Sequence, residues 1–280
     1  MTAAVTFAVL VAAFCHASWN AIIRMRSDKV VSMALLVTAS GLIALPTLFF
    51  FPILPAAAWP FAIASAIIHT GYNTFLALAY VHGELSKAYP LVRGSAPLGT
   101  LVLSVVLLDE GVDWGTAVGI VVLAAGIMAL ALDQGWRALT SSPRGLAYAA
   151  ATSVCITLYT LSDGLGARQA DSAHQYVMWL FALDFPPLLV GTLLFRRRLF
   201  LDAAKANWWP SLLGGALSLV AYWIVIWAMT VAPIPIVAAL RETSILFAAL
   251  IGMVVLRERL TPIRFGSILL VLAGLALMRL

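Results

Sequence analysis

Two arginines and two histidine-bearing pentads are the polar groups of this chain best suited to binding or proton transfer. Arg93 stands in Val92-Arg93-Gly94-Ser95 and Arg241 in Leu240-Arg241-Glu242-Thr243, about 148 residues apart. Each lies inside a long apolar stretch. An ionised side chain within lipid costs roughly 2.5–3.5 kcal/mol on insertion scales, so each must face protein or a wet cavity. A guanidinium never deprotonates and offers paired donors, which suits a carboxylate or phosphate group. The competing reading is an internal ion pair with Glu242, Asp163 or Asp184.

The pentads are His16-Ala17-Ser18-Trp19-Asn20 and His69-Thr70-Gly71-Tyr72-Asn73. Both read His-x-x-aromatic-Asn. On a helix, His and Asn four apart share one face and the aromatic flanks it. Two such faces could line one polar cavity or simply bond across helices, where a hydrogen bond averages only about 0.6 kcal/mol. Asp163, Asp184 and Glu242 are carboxylates inside apolar segments, suited to carrying protons or to neutralising the arginines. Tyr159 and Tyr222 are candidates to line the same cavity, with core packing as the alternative.

Catalytic and metal signatures are absent from the sequence. It has no Gly-x-x-x-x-Gly-Lys-Ser/Thr loop, no His-Glu-x-x-His and no nucleophile elbow. Cys15 and Cys155 both sit in apolar segments and read as small core residues. No catalytic residue, metal or cofactor is expected.

The elements that must position these groups are set by composition. Of 280 residues 63% are hydrophobic and 10% charged, against about 45–50% and about 25% in soluble domains. The solvent of such a chain is lipid, and a spanning helix takes about 20 residues. The apolar runs are 3–23, 31–51, 56–80, 85–108, 114–132, 145–165, 175–195, 209–230, 234–256 and 262–279. The reading is an all-α membrane protein of ten transmembrane helices. Trp59, Trp114, Trp208 and Trp209 at span starts suit the membrane–water interface. The net charge of +5 resides in short loops as a topology signal, without the basic stripe of a nucleic-acid binder.

The two halves resemble each other. Val106-Leu107-Leu108-Asp109-Glu110 matches Val254-Val255-Leu256-Arg257-Glu258, and the same offset brings Arg93 onto Arg241 and Gly126 onto Gly274. Five spans per half is an odd number, so the halves, 1–137 and 138–280, insert in opposite senses as inverted repeats, a plan that puts the site between them. The arginines then approach the midplane from opposite faces, each about 10–12 Å deep. Basic residues concentrate after spans one, five, seven and nine, which puts both termini outside the cytoplasm.

The ten-span plan and the Glu-ended helices, Leu108-Asp109-Glu110 and Leu256-Arg257-Glu258-Arg259-Leu260, resemble the EamA family of the drug/metabolite transporter superfamily. Tyr89-Pro90-Leu91-Val92-Arg93-Gly94-Ser95-Ala96-Pro97, Tyr159-Thr160-Leu161-Ser162-Asp163-Gly164 and Leu240-Arg241-Glu242-Thr243-Ser244, with the first pentad, resemble a subgroup associated with phosphonate utilisation. The resemblance implies a secondary transporter of a small metabolite, multi-pass in a bacterial inner membrane. The arginines favour an anionic or zwitterionic solute. The expected site comprises Arg93, Arg241, His16, Trp19, Asn20, His69, Tyr72, Asn73, Tyr159 and Tyr222. Expected partners are a small solute and the bilayer, with the chain a monomer or homodimer. A lipid-carrier flippase of the same fold, a non-transporting membrane subunit and an intramembrane enzyme are the rival readings.

Overall fold

The computed structural model describes residues 1–24, 28–82, 85–134, 142–254 and 261–278. Among them all regular structure is helical: α1 (Ala3–Arg24), α2 (Lys29–Ala44), α3 (Trp59–His82), α4 (Leu85–Leu108), α5 (Trp114–Ala129), α6 (Pro143–Gln169), α7 (Ala173–Val231), α8 (Ile234–Arg241), α9 (Ser244–Val254) and α10 (Pro262–Leu277). Tighter 3-10 turns, Leu45–Phe50 and Leu130–Gln134, extend α2 and α5. The family-like residues Arg257, Glu258 and Arg259 lie outside the described residues.

Helices begin where a side chain can take the orphan N–H groups of a first turn. Asp28 accepts from the Val31 amide, Asp113 from Thr116, Ser142 from Gly145, Ser172 from Gln175 and Thr261 from Arg264. In lipid this matters more than in water, because nothing else satisfies a backbone group. The outer faces are apolar as that solvent requires: Phe7, Ile67, Val102, Val154 and Leu194 all point outward and exposed.

Seven helical stretches, with Ile234–Val254 taken as one, are long and apolar enough to cross a membrane among the described residues. α5 and α10 are shorter apolar helices of 16 residues each. The structure revises several expected boundaries. The loop expected over 196–208 is helical, so that α7 runs for 59 residues with non-helical backbone at Arg196 and Asn207. That is about 90 Å at 1.5 Å per residue, too long for one crossing of a core about 30 Å thick. Pro186 and Pro187 do not mark the breaks; the chain bends where charges begin and end, at Arg196 and Asn207. The run expected over 234–256 is instead broken in its middle, between Arg241 and Ser244.

Close packing of the helices relies on glycine. A Cβ on Gly119 of α5 would sit 2.6 Å from the Gly274 carbonyl oxygen of α10, and one on Gly274 would sit 2.6 Å from that of Gly119. Gly126 likewise faces the Ser267 carbonyl of α10 at 3.1 Å. α2 packs along both arms of α7, α3 against α6, and α1 against α7, α8 and α9. Ordered contacts define the two ends of the bundle. At one end Gln175 donates to the Pro52 and Ile53 carbonyls, and Arg168 pairs with Glu110. At the other Asp28 pairs with Arg196, Asp133 with Arg264, and Ser142 bonds the His82 carbonyl.

Candidate functional site

The break in the 234–254 stretch is what places Arg241. α8 ends on it, and the chain crosses Glu242 and Thr243 through three-residue turns, in which Glu242 N–H reaches Ala239 O, Thr243 N–H reaches Leu240 O and Ile245 N–H reaches Glu242 O. Backbone groups therefore stay bonded through a break at mid-depth, as lipid demands. Discontinuous helices of this kind are where many transporters build their sites.

Arg241 and Arg93 converge on one carboxylate. Arg93 Nε lies 2.6 Å from Glu242 Oε2, and Arg241 Nε lies 3.7 Å from Oε1. Arg93 also donates from Nη2 to Ser244 Oγ at 2.9 Å. All three charged side chains are at most 5% exposed. Two guanidiniums sharing one carboxylate leave the cluster with one positive charge in excess. Glu242 is thus the carboxylate that pairs with the arginines, and an internal ion pair is present for Arg93 and for Arg241.

Arg241 is the member that reaches open space. A cavity of about 700 Å³, counting its open mouth, is lined by His16 and Trp19 of α1, Met33, Leu36, Val37 and Ser40 of α2, His69, Tyr72 and Asn73 of α3, Tyr159 of α6, Leu180, Phe181, Asp184, Ser218 and Tyr222 of α7, and Arg241. Eight of the ten residues expected at a binding site lie on it. Arg93 stands behind Arg241 and does not line it. Asn20 does not either, because its amide is spent on the His16 carbonyl one turn back, at 2.8 Å.

Aromatic rings form the walls. His69 stacks on Tyr159 at 4.0 Å between centroids and meets Tyr222 edge-on at 5.7 Å. Arg241 Cζ lies 6.0 Å from the centroids of both Tyr159 and Tyr222, at the limit of a cation–π contact. His69 Nδ1 is 3.0 Å from the Ser65 carbonyl. When Nδ1 carries the proton to that carbonyl, Nε2 is left as an acceptor. In the first pentad His16 meets Trp19 edge-on at 4.9 Å.

The remaining carboxylates differ in surroundings. Asp163 is fully buried and accepts hydrogen bonds from Tyr176 and Tyr222. Asp184 lines the cavity, and its Oδ1 has no hydrogen-bond partner among the described residues. A guanidinium and a carboxylate side chain therefore stand on the wall of the same space, with Asp184 Oδ1 itself buried. Among the described residues no group of His, Cys, Asp and Glu is arranged to hold a metal ion.

Some cavity residues were not singled out in the sequence. Ser40 and Ser218 are small polar residues in apolar runs, and Met33 and Leu36 carry no polar signal at all. Tyr176, which donates to Asp163 from near the start of α7, was also missed, because that contact between two helices leaves no local signal.

Comparison with known proteins agrees with this architecture. A solved crystal structure is matched with a TM-score of 0.81 over 99% of this chain and 96% of its own, at 16% identity, which shows a common fold. In all, 27 chains of solved structures are similar. No curated protein matches the chain. The sequence profile of the EamA-like transporter family matches residues 3–132 and again 143–280. With nearly its whole length matched, this multi-pass membrane chain belongs to the EamA-like transporter family.

Proposed function

We propose that the chain is a secondary transporter of a small anionic or zwitterionic solute, working by alternating access between two inverted five-helix repeats in a bacterial inner membrane. The observation that carries this is Arg241, a buried cation on the wall of a central cavity and set there by a mid-depth helix break. The excess positive charge of its cluster attracts an acidic group. Asp184 on the same wall supplies a negative charge toward an ammonium on the same solute. His16, His69, Trp19, Tyr72, Asn73, Tyr159 and Tyr222 supply flat walls and a few directional bonds, the composition of a small-molecule site.

The ten-span count follows if α7 contributes two crossings on either side of its 196–207 bend. The repeat, 1–137 with 138–280, is supported by crossed contacts between α5 and α10. Gly119 meets Gly274 and Gly126 meets Ser267; at the offset of about 148, Gly119 corresponds to Ser267 and Gly126 to Gly274. Each residue thus touches the counterpart of the other, as a two-fold axis requires. The two separate profile matches fit the same plan.

The cavity extends from Arg241 along α1 to Trp19 and along α2 to Met33, toward the end that carries the Arg196-Arg197-Arg198 run. With basic loops on the cytoplasmic side, this is an inward-facing state and both termini are outside.

The test is a thermal-shift screen of the purified protein against amino acids, organophosphates and phosphonates, since binding to the folded state raises its apparent stability. Hits are then followed as counterflow in proteoliposomes. Arg241→Gln should weaken binding of the best hit about 10- to 150-fold, the worth of one hydrogen bond to a charged group. Equal affinity in the variant would refute anchoring by Arg241, and a library without any stabilising ligand would count against the solute class.

A further inference from the structure

One ion pair ties together the end of the bundle away from the basic loops. Arg168, in the last turn of α6, places Nη1 2.6 Å from Oε1 of Glu110, just beyond α4. Asp109 takes a left-handed backbone, φ 51°, that turns the chain so that the Glu110 amide returns to the Ser104 carbonyl at 3.2 Å. The rest of each charged group is spent on helix ends. Arg168 donates from Nε to the Met229 carbonyl at 2.9 Å and from Nη2 to Ala232 at 3.2 Å. Glu110 Oε2 accepts the Ile234 amide at 2.9 Å.

These carbonyls and this amide are the groups that α7 and α8 leave without intrahelical partners at their junction. The pair therefore joins four helices, α4, α6, α7 and α8, and is itself only partly exposed, 31% for Arg168 and 12% for Glu110. Beneath it lies an apolar layer of Leu161, Val225, Ala228, Met229, Ile234 and Val237. Ile234 seats on Gly164, where a Cβ would meet its Cδ1 at 2.5 Å. The cavity stops on the far side of this layer, at Tyr159, Tyr222 and Arg241.

We propose that the Glu110–Arg168 clasp and the Ile234–Gly164 seat are the gate that closes the transport path at the end bearing the chain termini. When the gate opens, water replaces the clasp at the Met229 and Ala232 carbonyls and the Ile234 amide. Both states then satisfy the same backbone groups, which makes the junction bistable at little cost. The assignment rests on reading the cavity as the transport path, but its test uses no substrate, so a failed solute screen and a failed gate are separate results.

The test is labelling by a charged, membrane-impermeant methanethiosulfonate of two single-cysteine reporters, each in a Cys15→Ala, Cys155→Ala background in detergent. Ala228→Cys reports the apolar layer, and Ser218→Cys reports the cavity. Adding Glu110→Gln should speed labelling at 228 about tenfold, the effect of losing one charge-assisted hydrogen bond on an opening equilibrium. Labelling at 218 should stay the same or slow. Gly164→Ala, which leaves the ion pair in place and unseats Ile234, should act in the same direction. An unchanged rate at 228 in both variants overturns the gate. So does a parallel rise at 228 and 218, which is the signature of a loosened bundle.

Discussion

Removing Glu242 should be far more damaging than removing either arginine that it serves. Its carboxylate lies 2.6 Å from Arg93 and 3.7 Å from Arg241. At an effective dielectric of about 20 these contacts are worth about 6 and about 4.5 kcal/mol before desolvation is subtracted. Glu242→Gln takes from two guanidiniums, each about 4% exposed, the carboxylate they share. Breaking a buried pair by deleting one partner typically costs about 3–5 kcal/mol, and here one deletion strips two cations. Arg93→Gln leaves Glu242 with Arg241 and should cost less, about 1–3 kcal/mol for a lost charge-assisted bond. The double variant Glu242→Gln, Arg93→Gln removes one of the two cations that share the carboxylate, so its loss should fall short of the sum of the two single losses. The assay is equilibrium unfolding in mixed micelles for the four proteins of the cycle. A loss below about 1 kcal/mol for Glu242→Gln, or strict additivity of the two substitutions, would refute the shared-carboxylate account.

Other consequences are simpler to read. Val154, exposed on α6, points outward into lipid; Val154→Asp should reduce membrane insertion by about 2.5–3.5 kcal/mol, measured as the inserted fraction in a glycosylation-reporter assay, whereas a residue facing water would tolerate it. Gly119→Val should destabilise the protein by about 1–3 kcal/mol through overpacking, because its Cβ would meet the Gly274 carbonyl and the Met278 amide, at 2.6 and 2.9 Å; the apparent Tm reads this directly. Tyr222→Phe removes the hydroxyl that Tyr222 donates to Asp163 while leaving the ring beside Arg241; it should slow counterflow and leave the apparent Tm nearly unchanged.

Membrane class, helical architecture and family were legible in the chain because lipid imposes a one-dimensional rule: about 20 apolar residues make a span. The pentads were legible for a similar reason, since helix periodicity alone puts His69 and Asn73 on one face, and both line the cavity. Periodicity could not tell which faces meet. His16 and Asn20 have the same spacing, yet Asn20 turns back to its own helix. The bends at Arg196 and Asn207 were invisible because charged residues between apolar runs read as a loop, and nothing local distinguishes a loop from a helix held against α2 by Phe200.

Arg93 and Arg241 show the division most clearly. Residue type and apolar context are enough to say that each arginine needs protein or water around it. Their inequality comes from packing. A break after Arg241 carries Glu242 across to Arg93, which is held behind the wall, and leaves Arg241 facing the cavity. The cost of a buried charge is fixed by residue type, but its neutralisation depends on where another helix brings a carboxylate. That is a matter of packing across about 150 residues of chain.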